Sequence, residues 1–136
     1  MKVTPYLTFA GNCEDAMTFY AGALGGKVSM VMTFAQMMGA GAPEGLGAKM
    51  AHMTLDLGEG RQLFASDVFD ESDYKGVEGV SLSVTCATAA EAEALFAVMS
   101  EGGIVSMPLG KTDWAALFGM CRDRFGVAWM IDVDAA

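Results

Sequence analysis

The chain has 136 residues, 53% of them hydrophobic, and a formal charge of −9 from 17 acidic against 8 basic side chains. That length fits one domain with an apolar core, and the acidity, with no basic stripe to offset it, argues against a nucleic acid partner. No apolar run approaches the ~20 residues a membrane span needs and MKVTPYLTFAGN lacks the apolar segment of a signal peptide, so a cytoplasmic chain without a membrane partner is expected.

In chain order, VTPYLTF (3–9) alternates like a strand, and Asn12 is placed to cap a helix whose apolar face is Ala16, Phe19, Tyr20, Ala23 and Leu24. GKVSMVMTFA follows as a strand, then a Gly/Ala/Pro-rich loop over 36–48. KMAHMTLDL and RQLFASDV, joined by a turn at Gly58-Glu59-Gly60, give two further strands. The polar stretch 70–78, DESDYKGVE, reads as a connection. GVSLSVTC alternates again, Thr88 and Glu91 form a capping-box pattern, and the helix after them presents Ala92, Leu95, Phe96 and Met99. The strands GGIVSMPL, TDWAALFGMCRD and VAWMIDV complete the chain.

Two segments match one another. FYAGALGGKVSM (19–30) and FAVMSEGGIVSM (96–107) share F-x5-GG-x-V-S-M at a shift of 77. Each copy sits in a strand-helix-strand-strand-strand order. The chain therefore reads as one α+β domain, 1–136, made of two tandem βαβββ modules, about 1–69 and 79–136, with curled mixed sheets around a cleft. Neither module can cover both faces of its sheet, so each needs its twin, within the chain or across protomers.

Among side chains able to do chemistry, His52 is the only histidine. Alternation places it with Met50, Thr54 and Asp56 on the more polar face of its strand. It can be a solvent-facing or hydrogen-bonded group, a pocket base or orienting group, or a metal ligand. Ser66 lies in no nucleophile elbow, and Glu14-Asp15 and Glu71/Asp73 fit a helix start and a connection better than a catalytic carboxylate pair. Cys13, Cys86 and Cys121 are odd in number and form no CxxC, so they read as small core residues. Of the 12 methionines, Met32, Met37, Met38, Met50 and Met53 cluster around the 36–48 loop, either as gap-fillers or as part of an adaptable lid. Trp129 reads as core, and Asp123 and Arg124, in the turn before FGVAWM, as stabilising that hairpin or a protomer contact, with Arg122 beside them. Lys111, Trp114 and Phe118 read as cavity lining, with Tyr6, Thr8, His52 and Asp67 as their partners.

The segments PYLTFAGNCEDAMTFYAGALGGKV, KMAHMTLDL with RQLFASD, and VSMPLGKTDWAALFGMCRDRFGVAWMI resemble the PhnB-like branch of the vicinal oxygen chelate superfamily, the glyoxalase, bleomycin-resistance and extradiol dioxygenase group. The likeness covers nearly the whole chain. It implies a homodimer that binds a small-molecule ligand, with a possible but unassigned reaction in an apolar cleft. A drug- or metabolite-sequestering protein is the alternative, and a metal-dependent lyase, isomerase or dioxygenase the third reading. The superfamily's divalent metal sits on positions that fall here at or near Tyr6, at Gly79 or Val80, and near Met130, none an ordinary ligand, so the usual metal site reads as unfilled, with a divalent metal at a non-standard or intersubunit site the remaining cofactor alternative. Members of this branch are also labelled demethylubiquinone methyltransferases. GAGAPEG (39–45), however, lies between two strands and contains Pro43, unlike a strand-to-helix cofactor loop.

Overall fold

The computed structural model describes all 136 residues and divides them into two compact units, Met1–Gly76 and Val77–Ala136. The division falls inside the polar stretch 70–78. Each unit is strand, helix and three strands, so the α+β βαβββ reading holds in both halves.

In the first unit β1 (Tyr6–Phe9) is followed by α1 (Cys13–Leu24), β2 (Lys27–Thr33), α2 (Phe34–Met38), β3 (Met50–Gly58) and β4 (Arg61–Asp67). The sheet runs β1-β4-β3-β2, with β1 parallel to β4 and the other pairs antiparallel. Period-two alternation divides it cleanly. Leu7, Phe9, Met53, Leu55, Leu63 and Ala65 are buried on one face, where α1 packs through Cys13, Ala16, Met17 and Tyr20. Tyr6, Thr8, His52, Thr54, Phe64 and Ser66 take the other.

The second unit repeats the plan with β5 (Ser81–Cys86), α3 (Ala89–Ser100), β6 (Ile104–Gly110), β7 (Ala115–Arg122) and β8 (Ala128–Asp134), in the order β5-β8-β7-β6. Ala92, Leu95 and Met99 of α3 are buried, as are Cys121, Trp129 and Ile131 of the strands. Trp129 is therefore core. Edge strand β6 carries exposed Ile104, Val105 and Met107, then Pro108, and its pairing with β7 slips twice.

Local chemistry differs from the sequence expectations in three places. The segment after β2 is not simply a loop: Thr33 accepts from the Gln36 amide and the Gln36 side chain accepts from the Thr33 amide, a reciprocal cap that turns Phe34–Met38 into a short helix. Asn12 occupies the N-cap of α1 but its side chain makes no capping bond; Asp67 takes that role from β4. Finally, β7 begins at Ala115, so Trp114 precedes the strand.

The internal match has a steric cause. Gly25 and Gly102, the first glycine of each pair, adopt φ of 70° and 73°, the left-handed conformation that stops a helix. The second glycine lies against the neighbouring hairpin. A Cβ on Gly26 would stand 2.9 Å from the Asp56 carbonyl oxygen, and one on Gly103 would collide with the Arg122 carbonyl. The Gly26→Ala variant is expected to lose about 1–3 kcal/mol, and Gly103→Ala more, because backbone cannot step aside. Gly22→Ala, within α1 with open space around it, should gain about 0.5–1 kcal/mol. Urea melts of the three variants check the order, and a Gly103→Ala protein as stable as the native chain refutes the packing argument.

Candidate functional site

The open face of the first sheet gathers polar and aromatic side chains from three strands. Tyr6 pairs with Phe64 and Thr8 with Ser66 across β1–β4, and Thr54 pairs with Phe64 across β3–β4. His52 stands two residues before Thr54 on the same side. The Tyr6 hydroxyl and His52 Nδ1 are 3.0 Å apart, and His52 Nε2 and the Thr54 hydroxyl are also 3.0 Å apart. The Phe64 ring lies 5.1 Å from the imidazole and 6.1 Å from the Tyr6 ring, edge-on to each. Thr54 is buried, His52 half-buried, and Tyr6 is 50% exposed, so the chain of hydrogen bonds runs from the interior of the sheet outward.

This arrangement lets the imidazole change charge without losing a partner. Both flanking groups are hydroxyls, which donate as readily as they accept. With the proton on Nε2, that nitrogen donates to Thr54 and Nδ1 accepts from Tyr6. With the proton on Nδ1 the roles reverse, and an imidazolium donates to both.

The expected site residues do not all meet here. Tyr6, Thr8 and His52 share this face. Asp67, with Leu63 and Ala65, points to the opposite, helix-covered face, where it is buried. One Asp67 oxygen accepts from the Gly11 amide at 2.9 Å and the Cys13 amide at 3.0 Å, the other from the Met50 amide at 2.9 Å. Its carboxylate is occupied in holding the start of α1 and the start of β3 to the end of β4. Lys111, Trp114 and Phe118 belong to the second unit. Lys111 is exposed, Trp114 is 65% exposed, and the Trp114 and Phe118 rings meet edge-on at 5.6 Å. Phe64 and Thr54 complete the first-unit array and were missed in the sequence. The alternation that put Thr54 beside His52 was the available signal; Phe64 needed the strand register.

Asp123 is the second unit's counterpart of Asp67. It is buried, and it accepts from the amides of Phe125 and Val127 and from the Trp129 indole N–H at 2.8 Å. The hairpin role expected of it thus has a stated geometry. Arg122 donates to the carbonyls of Val77 and Gly126.

The superfamily's divalent metal does not fit these residues. No group of three or more His, Cys, Asp or Glu side chains is gathered anywhere in the chain, and Tyr6, Gly79 or Val80, and Met130 are not a donor set for a dication.

Two βαβββ units with open mixed sheets are the architecture of the glyoxalase and bleomycin-resistance proteins. At the level of fold, a glyoxylase/bleomycin resistance protein/dioxygenase domain from Frankia sp. EAN1pec superposes with a TM-score of 0.65 at 14% identity, over 99% of this chain and 98% of that one. The family model described as 3-demethylubiquinone-9 3-methyltransferase matches residues 1–132, and the chain belongs to that family, the PhnB-like branch of the vicinal oxygen chelate superfamily. Protein PA1353 from Pseudomonas aeruginosa is similar, at 41% identity and a TM-score of 0.88 over 98% of each chain. A protein from Bacillus cereus described as a putative 3-demethylubiquinone-9 3-methyltransferase, PhnB protein, is 26% identical with a TM-score of 0.84, over 98% of this chain and 99% of that one. Protein YjdN of Escherichia coli (strain K12) is 30% identical, covering 98% of this chain and 95% of its own.

Two predictions follow from the buried groups. Asp67→Asn keeps the shape but replaces an acceptor with an amide N–H2, leaving at least one backbone N–H facing a donor. A loss of about 2–3 kcal/mol is expected in chemical denaturation, and a neutral result contradicts the clamp. Burial, with the negative charges of Asp67 and Glu14 nearby, pushes the Cys13 thiol from 9.0 up to about 12. Cys86 and Cys121 are also raised, mainly by burial. A raised thiol favours the native state below the unfolded value and ceases to as the unfolded chain ionises. Stability should therefore hold up to pH of about 9 and fall between there and about 12. Melting temperature against pH for native protein and Cys13→Ala checks this; the variant should show a shallower alkaline fall.

Proposed function

We propose that the protein binds a small molecule on the open face of its first sheet, with the Tyr6 hydroxyl as the contact group and His52 and Thr54 as the relay behind it. The observation that carries this reading is the three-member hydrogen-bond chain, ending in a half-exposed phenol on a face otherwise walled by Phe64 and Thr8.

The same chain supports proton transfer. As the Tyr6 oxygen accepts a proton from a bound ligand, its own hydroxyl proton passes to His52 Nδ1, while His52 Nε2–H donates to Thr54, so the imidazolium that forms stays hydrogen-bonded at both ends. The reading is of a binding protein able to add or remove a proton, without a metal. Nothing in the fold supports the methyl transfer of the family's description: β1 and β4, and β5 and β8, are the parallel pairs, and no strand leads through a Gly-rich turn into a helix in a doubly wound sheet.

The test uses the single histidine as a reporter. Metabolites that raise the melting temperature of the native protein are expected to shift the His52 ring resonances and to bind at least fivefold more weakly to Tyr6→Phe and His52→Ala. Compounds that stabilise the protein but leave His52 unmoved, and bind Tyr6→Phe as well as native, overturn the assignment.

A further inference from the structure

Two aspartates of this chain are buried, and a third carries one enclosed carboxylate oxygen. The buried two are saturated: Asp67 accepts from three backbone amides, and Asp123 from two amides and an indole. The third differs. Asp132 Oδ1 on β8 is enclosed and has no hydrogen-bond partner, the one side-chain polar atom of the chain in that condition. A buried carboxylate oxygen without a donor is costly, and such atoms are rare in folded proteins.

The surroundings say what kind of donor fits. Asp132 pairs across the sheet with Thr85 on β5 and with Phe118 on β7, which places all three on the face turned away from Trp129 and Ile131. Side chains so paired stand about 5 Å apart at Cβ. Phe118 in turn touches the exposed Trp114 ring at 5.6 Å. Asp132 Oδ1 receives no donor from any basic side chain. A carboxylate beside one aromatic ring that touches a second suits an organic cation: aromatic faces attract the charge and cover the carbon atoms, and the carboxylate takes the N–H. A dication does not suit it, because one carboxylate and a hydroxyl are too few oxygens. Asp132 as a residue is only partly buried, and carboxylates rotate softly about χ2, so its oxygens can exchange places.

We infer that the open face of the second sheet binds a protonated alkylamine, held by Asp132 and stacked against Phe118 and Trp114. The site lies in the second unit and stands or falls independently of the Tyr6–His52 reading. Its experiment follows the indole N–H signals of the protein's two tryptophans in nitrogen-15 spectra during titration with n-butylammonium chloride. Equal ionic strength is kept with NaCl, and 1-pentanol serves as the neutral analogue. The expected result is a saturable shift of Trp114, with Trp129, bonded to Asp123, nearly still, and no matching effect of the alcohol. Asp132→Asn should bind at least tenfold more weakly without a lower melting temperature, since it removes an unpartnered charge, and Phe118→Leu at least threefold more weakly. The inference is overturned if 1-pentanol moves Trp114 as butylammonium does, if no saturable shift occurs, or if Asp132→Asn titrates like the native protein.

Discussion

One carboxylate fixes the geometry of the first unit. Asp67 sits at the end of β4, and its two oxygens take the amides of Gly11, Cys13 and Met50, which belong to the turn into α1 and the first residue of β3. Three chain segments distant in sequence are thereby set in register at one point. The alternation of β3 then decides that His52 and Thr54 face away from α1, and the parallel β1–β4 register brings Tyr6 opposite Phe64. The hydrogen-bond chain on the open face is thus a downstream result of a clamp on the covered face. The second unit uses the same device in another place, with Asp123 tying the β7–β8 hairpin to Trp129.

Much of this was legible in the residues because it rests on local chemistry. Strand alternation, the Gly-Gly helix stops and the duplicated F-x5-GG-x-V-S-M pattern define βαβββ twice without reference to any contact. What escaped was whatever depends on register or on a long-range hydrogen bond. Asp67 was grouped with His52 as lining of a common cleft, yet the two project to opposite faces of the sheet. Asn12 has the residue type of a helix cap, but a carboxylate 54 residues away along the chain reaches Cys13 instead. Trp114 was read into the strand TDWAALFGMCRD, although β7 starts one residue later and the ring stands in the open. The short helix after β2 was signalled by Thr33 and Gln36, a capping pair obscured by the glycines that follow.

Membership of the family and the description attached to it separate at this point. The sequence and fold place the chain in the PhnB-like branch, while the positions to which the resemblance carries the superfamily's metal, at or near Tyr6, at Gly79 or Val80 and near Met130, offer a phenol, a glycine or valine, and a thioether. What stands on the open faces instead is a hydroxyl–imidazole–hydroxyl chain in one unit and a carboxylate with aromatic neighbours in the other. A duplicated scaffold allows this, because each half packs one face of its sheet under its own helix and function resides in the residues carried on the other.

The exposed edge of the second sheet carries a risk that the sequence also answers. A strand bearing Ile104, Val105 and Met107 outward, with free backbone groups along its rim, is a template for adding strands from other molecules, the first step toward fibrils. Pro108 interrupts that template by removing an amide, and the two slips against β7 bend the rim out of the flat form that stacking requires. Proline and irregular pairing here act as guards of solubility, at the cost of a weaker rim.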